Sequence, residues 1–198
     1  MGVNAAADVD GRRLRRQQNR EAVVDALVEL FAEGSYTPSS AEIAERAGLS
    51  PRSLFRYFDD MDDVSRAAIE RQLAEARPLF TVDAEPGDPT AHKIERIVRS
   101  RLRLFESIAP GARAGRACAH NRPVVAEQLH EARTFFRAQI RSLFAPELRG
   151  RSHLLPAIDV LLSFEARDLL CVEQGLSTAK ATTTLVAALT ALLEEPRS

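Results

Sequence analysis

The sequence AEIAERAGLSPRSLFRYF, residues 41–58, has the pattern of two short helices joined at Gly48. Glycine commonly closes a helix. Ser50 followed by Pro51 is an N-cap with proline at the first helical position, which begins the second helix. Because a helix of two turns is marginally stable alone in water, we expect residues 51–57 to be held by packing on one face. The other face is then available to a partner.

The two faces of this second helix differ in chemistry. Leu54 and Phe58 share one face at helical spacing and are predicted to pack against the preceding helix. The other face carries arginines and polar or aromatic groups, namely Arg52, Ser53, Phe55 and Arg56. In a helix-turn-helix the second helix lies in the DNA major groove, where arginine donates to guanine and an aromatic edge meets a thymine methyl. The alternative is a helical hairpin with solvated arginines, and the spacing alone does not separate the two interpretations.

Charge is balanced over the whole chain and concentrated locally. The 198 residues carry a net charge of −1, which gives no general attraction to nucleic acid. Residues 11–20 nevertheless hold five arginines and no acid, and residues 46–58 hold three arginines and no acid. We expect residues 1–14 to form a basic disordered arm that lies along DNA phosphates.

The remaining composition is that of a soluble helical protein. Hydrophobic residues make up 45% of the chain and charged residues 28%, and apolar residues recur at helical spacing with almost no strand alternation. The two cysteines have no CxxC spacing, so we predict neither a disulfide framework nor a zinc site. The N-terminus has no apolar run of the kind found in signal peptides or membrane spans, and we expect a cytoplasmic protein.

Capping signals and apolar periodicity predict about nine helices. The first four are expected at residues 15–33, 40–47, 51–57 and 61–77. The stretch 81–91, with two prolines and a glycine, is the predicted linker. After it we expect a helix around residues 94–105, a loop at 110–111 with a short segment through Cys118, and helices at 123–144, 154–172 and 178 onward.

Residues 15–69 resemble the DNA-binding domain of the TetR family of transcriptional repressors. The resemblance rests on ALVELFAEGSY (26–36), SSAEIAERAGLSPRSLFRYF (39–58) and DDMDDVSRAAI (59–69). It implies an all-α protein with an N-terminal three-helix helix-turn-helix domain and a larger C-terminal helical domain for ligand binding and dimerisation. The implied divisions are an arm at 1–14, a DNA-binding domain at 15–80, a linker at 81–91 and the C-terminal domain at 92–198. The implied function is that of a homodimeric repressor released from a palindromic operator by a small molecule.

The positions that match the family motif give the DNA contacts that the resemblance implies: Ser39, Ser50, Pro51, Arg52, Ser53, Phe55, Arg56 and Tyr57. Three departures from the family pattern affect them. Phe55 replaces a common tyrosine, so a hydroxyl that would reach phosphate is absent. Met61 replaces a common lysine and lies among four aspartates, which repel phosphates. Pro38 stands where threonine is common, directly before Ser39.

The C-terminal half offers candidate ligand and dimer contacts. Small-molecule pockets are mostly apolar with a few polar groups, and the candidate lining is Phe105, Phe135, Phe136 and Phe164 with Arg113, Arg116, His120, Asn121, Arg167 and Cys171. The predicted dimer interface consists of Leu161, Phe164, Leu185, Leu189 and Leu192 on apolar helix faces. Core packing or an ordinary surface position is the alternative role of each pocket residue.

Two other classes of protein stay open at the level of the sequence. One is a ligand-independent DNA binder whose C-terminal half only dimerises. The other is a helical enzyme with a cluster of Cys118, His120 and His130, although no third metal ligand stands at a recognisable spacing and no glycine-rich phosphate loop follows a strand. We therefore predict no catalytic residue, metal or cofactor. The predicted partners are double-stranded DNA, a second copy of the chain and an unidentified effector.

Overall fold

The computed structural model describes the backbone of residues 3–194 and, within this range, every side chain except those of residues 3–10, 12 and 194. Every regular element in this part of the chain is helical, which confirms the predicted all-α fold. The ten α-helices are α1 Val3–Ala32, α2 Ser40–Arg46, α3 Pro51–Leu54, α4 Met61–Ala76, α5 Thr90–Ser107, α6 Ala109–Cys118, α7 Pro123–Leu143, α8 Leu154–Leu161, α9 Phe164–Asp168 and α10 Thr178–Glu194. None of the described helices is long and apolar enough to cross a lipid bilayer.

Helix α1 begins earlier than the sequence predicted. It starts at Val3, so the segment expected to be a disordered arm, residues 1–14, is helical from residue 3, and residues 1–2 lie outside the described part. The segment contains no proline and is rich in alanine and arginine, which are good helix formers. The arm is therefore corrected to a helical extension that carries the same arginines.

Two other boundaries differ from the prediction. The expected loop at residues 110–111 is the first turn of α6, where proline is tolerated because the first backbone N–H groups of a helix have no internal partner. The expected single helix 154–172 is broken after Leu161, and the Ser163 side chain caps α9 by accepting a hydrogen bond from Ala166 N at 3.1 Å. A π-helical turn, Leu169–Glu173, then follows α9.

The chain divides into two compact units, of which unit 1 comprises Met1–Ala74 and Pro110–Glu127. Helices α1, α2 and α3 contact one another in sequence order, and their apolar faces share a core with α4. The buried core residues are Val23, Val24, Ala26, Leu27, Leu30, Ile43, Ala44, Leu54, Phe58, Val64 and Ala68. The predicted packing of Leu54 and Phe58 onto α2 and α1 is confirmed, since both side chains are buried in this core.

Unit 2 comprises Glu75–Ala109 and Gln128–Ser198. Helix α10 packs against α5 and α8, and the core draws leucines, isoleucines and Phe144 from α5, α7, α8 and α10 and the segments beside them. The predicted linker 81–91 lies inside this unit, and residues 110–127 belong to unit 1 rather than to a C-terminal block. The domain limits at 15–80 and 92–198 stay a prediction.

The predicted dimer interface needs correction, because most of it lies in the core of unit 2. Phe164, Leu185 and Leu189 are buried within the single chain, with Leu189 fully inaccessible. Only Leu161 and Leu192 are partly exposed. An amphipathic stripe shows which helix face is buried, and here α10 buries that face against α5 and α8 of its own chain.

Candidate nucleic-acid interface

A reciprocal capping box fixes the start of α2. Ser39 Oγ accepts a hydrogen bond from Glu42 N at 3.3 Å and donates to Glu42 Oε2 at 2.7 Å, while Ser39 N donates to the same oxygen at 2.8 Å. These bonds from Ser39 lower the pKa of Glu42. The Ser39 hydroxyl is therefore used in capping, and its predicted contact with DNA stays a prediction.

The turn between α2 and α3 depends on a glycine and a second cap. Gly48 adopts φ +68°, a left-handed conformation that side-chain-bearing residues rarely adopt. Ser50 Oγ then accepts from Ser53 N at 3.1 Å and caps α3. The regular helix is a single turn, Pro51–Leu54, and the chain continues in turns to Tyr57. Its stability therefore comes from the buried Leu54 and Phe58 rather than from its length.

The outward face of α3 is open to solvent. Arg52 and Arg56 are exposed, and neither has an ion-pair or side-chain hydrogen-bond partner among the residues whose side chains the structure describes. Phe55 is 46% exposed although it is a large apolar side chain, and Pro51 is exposed on the same helix. Two unpaired guanidinium groups on a helix with an exposed aromatic ring suit contact with phosphates and base edges.

Tyr57 has a different role from the other predicted contacts. It is partly buried against the unit 1 core, its hydroxyl oxygen accepts from Asn19 Nδ2 at 2.8 Å, and its carbonyl oxygen accepts from Arg20 Nη1. The Arg20 guanidinium also lies over the Phe58 ring, 4.1 Å from the centroid. These contacts hold the end of the α3 segment on α1. The phenol O–H of Tyr57 still has its proton to donate, so its contact with phosphate stays a prediction.

Arg46 does not belong to the basic surface that the sequence suggested. Its guanidinium donates to Glu33 at 2.8 and 2.7 Å and to Glu29 at 3.4 Å, joining α2 to the end of α1. The paired carboxylates raise the pKa of Arg46, and Arg46 in turn lowers the pKa of Glu33. The local positive charge therefore comes from Arg52 and Arg56. The missed signal was the i, i+4 spacing of Glu29 on α1 and Glu33 just after its end.

Most of the aspartates at the start of α4 cap the helix or pair with arginines. Asp60 Oδ1 accepts from Asp63 N at 2.8 Å and caps the helix. Asp62 pairs with Arg122 at 2.8 Å, and Asp63 lies 3.7 Å from Arg20. Pairing and capping reduce the repulsion between these carboxylates and a DNA phosphate. The repulsion is therefore weaker than the four aspartates in the sequence suggested.

Arginines of α1 and α4 line an open groove of about 510 Å³ along these two helices. Its lining includes Arg13, Arg16, Arg20 and Arg71 with Glu21 and Glu70. Arg71 pairs with Asp25 across the same two helices, whereas Arg13 and Arg16 are exposed. The side chain of Arg12 lies outside the described residues.

Four of the predicted pocket residues come together in unit 2. Phe105 and Phe136 have ring centroids 5.9 Å apart, Phe105 and Phe164 5.7 Å, and Phe135 and Phe136 5.4 Å. Phe80 joins them, 5.8 Å from Phe135 and 6.1 Å from Phe136. We call these five rings the aromatic cluster. Their edge-to-face and tilted arrangement is the one that aromatic pairs favour.

The polar members of the predicted pocket are divided between the two units. Arg113, Arg116, His120 and Asn121 belong to unit 1, whereas Arg167 and Cys171 belong to unit 2. Arg167 pairs with Asp168 at 3.3 Å, and Cys171 packs against the unit 2 core. The polar part of the pocket stays a prediction.

The candidate enzyme cluster is likewise not gathered in one unit, because Cys118 and His120 lie in unit 1 and His130 in unit 2. Burial raises the pKa of the Cys118 thiol, which disfavours the nucleophilic thiolate at neutral pH. Among the residues that the structure describes, no group of three His, Cys, Asp or Glu side chains is placed to hold a metal ion.

Together the capped α2, the Gly48 turn and the braced α3 form a helix-turn-helix. Residues 23–68 match the family model of bacterial regulatory proteins of the tetR family. A relative from Haemophilus influenzae, described as an uncharacterized HTH-type transcriptional regulator, is 36% identical over 71 residues. That match covers 35% of this chain and 35% of the relative.

Solved structures extend the likeness in fold to most of the chain. A candidate TetR-family transcriptional regulator from Rhodococcus sp. superposes with a TM-score of 0.66 at 19% identity, covering 88% of this chain and 98% of that one. A TetR-family transcriptional regulator from Streptomyces coelicolor gives 0.65 at 20% identity, covering 87% and 81%. The sequence match to the tetR family therefore covers the helix-turn-helix part of the chain, residues 23–68, and for the rest of the chain the likeness is one of fold. The matching family and relatives are described as transcriptional regulators, which favours a regulator over the enzyme alternative.

Proposed function

We propose that this protein is a transcriptional regulator that reads base edges of double-stranded DNA with the outward face of α3. The observation that carries the proposal is the pair of exposed, unpaired arginines, Arg52 on α3 and Arg56 in the turn after it, on a segment anchored by the buried Leu54 and Phe58. Arginine binds guanine O6 and N7 bidentately, and Phe55 is placed to meet a thymine methyl. Arg13 and Arg16 on the α1 extension add phosphate contacts. The site of action is the cytoplasm, where bacterial DNA lies.

We propose further that two copies bind a palindromic operator. One short recognition helix reads few base pairs, and a twofold dimer places two such helices on successive turns of DNA. The support is a set of apolar side chains at the surface of unit 2: Val160 is 67% exposed, Leu169 52% and Val172 51%. These residues replace the buried leucines as the proposed contact between copies.

The dimer proposal is tested with Val160→Asp. A charge at a dry interface is costly, so we expect a monomer with unchanged helix content by light scattering and circular dichroism. Thr134→Asp, which adds the same charge at an exposed position of α7, is the matched control and should remain dimeric. A dimeric Val160→Asp protein would place the contact elsewhere.

The proposed mode of regulation is repression relieved by a small molecule bound in unit 2. An effector releases DNA only if it binds the DNA-incompetent arrangement better than the competent one. The aromatic cluster supports the proposal because apolar walls with few polar groups suit a small ligand. The alternative, a ligand-independent dimeric DNA binder, keeps the same DNA contacts without an effector.

The central experiment is binding to the DNA that flanks the protein's own gene, with footprinting of the bound site. We expect a protected site with twofold symmetry and weaker binding by Arg52→Ala. Arg103→Ala removes an exposed arginine of α5 in unit 2 and is the matched control. Equal losses in the two variants would contradict the assignment of α3 as the reading helix.

A further inference from the structure

Arg101 of α5 is a cation buried in unit 2 without a complete set of partners. Its side chain is 1% exposed, and Nη2 donates to Gln139 Oε1 at 2.6 Å. Its Nε and Nη1 are also buried, and neither has a hydrogen-bond partner among the described residues. No carboxylate of the described part lies within ion-pair distance, although Asp159 acts on the guanidinium from farther away.

Such an arrangement is costly for a protein core. Burying an ionised group without a counter-ion destabilises the folded state, and part of that cost comes from buried donors that have lost the hydrogen bonds water would give them. Desolvation lowers the pKa of Arg101 to about 10, so the guanidinium is still charged at neutral pH. An anion at the two open donors would remove this cost.

The contacts around Arg101 orient its open donors. The Phe136 ring covers the face of the guanidinium, with the centroid 4.3 Å from Cζ, and this leaves the N–H groups in the guanidinium plane. Gln139 is itself fixed, because its Nε2 donates to Phe80 O at 2.9 Å while its Oε1 accepts from Arg101. The guanidinium is therefore held in place before any ligand arrives, as a binding site requires.

The surroundings of Arg101 are aromatic and reach the surface. Two residues of the aromatic cluster contact the Arg101–Gln139 pair: Phe136 through its ring, which covers Arg101, and Phe80 through its backbone carbonyl, which accepts from Gln139. Phe135 of the same cluster is 48% exposed, and Phe136 is half-buried. A ligand that packed against the exposed Phe135 ring would therefore lie on the aromatic cluster, and Phe136 of this cluster covers the buried cation.

The charge balance indicates a ligand with one negative charge. Three arginines of α7 and α9 are paired with carboxylates: Arg133 with Glu165, Arg137 with Asp159 and Arg167 with Asp168. Arg101 is thus a single unmatched charge within the cluster as the structure describes it. A carboxylate is the planar monoanion that a guanidinium binds best, whereas a phosphate dianion would need further cations.

We propose that Arg101 and Gln139 bind the carboxylate of an organic acid whose apolar body, an acyl chain or aromatic ring, lies against the aromatic cluster. This inference rests on the proposed effector function of unit 2 and names the chemical class of the effector. Arg101 supplies charge and two donors, Gln139 holds it in place, and the phenylalanines select an apolar body over a polar one.

Direct binding to the full-length protein without DNA tests the inference. The probes are the straight-chain acids from hexanoate to dodecanoate and the phenylalkanoic acids from phenylacetate to phenylbutyrate. Each acid is compared with the primary amide of the same carbon skeleton, which keeps the apolar body and removes the charge. Loss of a charged hydrogen bond corresponds to about a 10- to 100-fold weaker Kd, so at least one acid should bind that much more tightly than its amide by calorimetry.

Variants then assign the binding to Arg101. Arg101→Met should remove the difference between acid and amide, and Arg101→Lys should retain part of it because the charge is kept. Arg103→Ala, on the same helix but exposed, should bind like the wild type. If Arg101→Met does not fold, as judged by circular dichroism, the acid–amide comparison in the wild-type protein and in Arg101→Lys carries the test alone.

The outcomes separate this inference from the proposed function. If no acid of the panel binds better than its amide, or if Arg101→Met keeps the preference, Arg101 is a structural cation and the inference is overturned. If an acid binds through Arg101 but operator binding does not weaken, the ligand class stands and the effector mechanism fails. DNA recognition by α3 is measured separately and is unaffected by either result.

Discussion

The two units use the same side chain in opposite ways. In unit 1, Arg52 on α3 and Arg56 in the turn after it are exposed to solvent without a partner in the described part of the chain. In unit 2, Arg101 is buried with two open donors among aromatic rings. An exposed guanidinium is well hydrated, so it is stable unbound and suits a polyanion that is approached and left quickly. A buried guanidinium is poorly solvated until an anion arrives, so it suits a single small ligand.

The largest expected effect concerns the support behind the exposed pair. Leu54→Ala should lower the free energy of unfolding by about 2–5 kcal/mol, because it leaves a cavity between α3 and its neighbours. It should also weaken binding to every DNA sequence, since α3 loses its fixed position. Denaturant unfolding and gel shift measure the two effects. Leu189→Ala makes the same change at an equally buried site of unit 2 and should cost similar stability. If folded Leu54→Ala and folded Leu189→Ala lose the same amount of DNA affinity, the loss in Leu54→Ala does not come from the position of α3.

The next prediction concerns stability at the buried cation. Arg101→Met should raise the free energy of unfolding of the ligand-free protein by about 1–4 kcal/mol, the range seen when buried ion pairs are replaced by apolar groups of similar volume. Arg52→Met, at an exposed site, should change it by less than about 0.5 kcal/mol. Thermal and denaturant unfolding provide the measurement. A destabilised Arg101→Met protein would mean that the Arg101 guanidinium stabilises the ligand-free fold. The contrast between the buried Arg101 and the exposed arginines Arg52 and Arg56 would then disappear.

A third prediction separates base reading from phosphate contact within unit 1. Arg52→Ala or Arg56→Ala should cost about 1–3 kcal/mol at the cognate site and relax the preference for one base pair. Arg13→Ala or Arg16→Ala should weaken all sequences alike and reduce the salt slope by about one. Binding to cognate and scrambled duplexes across a salt series distinguishes the two. If the α3 variants change only the salt slope, these arginines hold phosphates and do not read bases.

The smallest expected effect lies at the cap of α3. Ser50→Ala should lower stability by about 1 kcal/mol through loss of the bond to Ser53 N. Ser50→Asp keeps a capping oxygen and should restore that stability, yet its negative charge beside the DNA should still weaken binding. Thermal unfolding and gel shift on both variants provide the check. Equal DNA affinity of Ser50→Asp and the wild type would show that the start of α3 lies away from phosphates.

Local signals in the sequence predicted the framework of unit 1 well. Both helix caps depend on residues within three positions of each other: Ser39 with Glu42, and Ser50 with Pro51. The structure forms both caps as the sequence indicates. The roles of Arg46 and Tyr57 were not predictable in this way, because each depends on a partner on α1. Helical spacing identifies a face but not the residue that meets it.

In unit 2, three features could not be predicted from the helical periodicity of apolar residues. Ile94, Ile97, Arg101 and Phe105 stand at one helical stripe, so the position of Arg101 was visible, but a charged residue is ordinarily assigned to the surface. From the sequence, Leu189 was assigned to a contact between chains. An apolar stripe shows that a helix face is buried, but not whether the residues that bury it belong to the same chain. The break at Ser163 was hidden by apolar residues on both sides. Each of these depends on tertiary packing.

The discontinuous chain of unit 1 has a consequence for synthesis. Residues 110–127 complete the unit, and Arg122 supplies the ion-pair partner of Asp62. A ribosome releases residues 75–109 before this second segment, so the helix-turn-helix and its core, residues 23–68, emerge well before the segment that completes the unit. Closing that loop costs conformational entropy that local helix formation does not. The last step in assembling unit 1 is therefore a late, long-range one, even though its recognition helix is encoded within the short stretch 41–58.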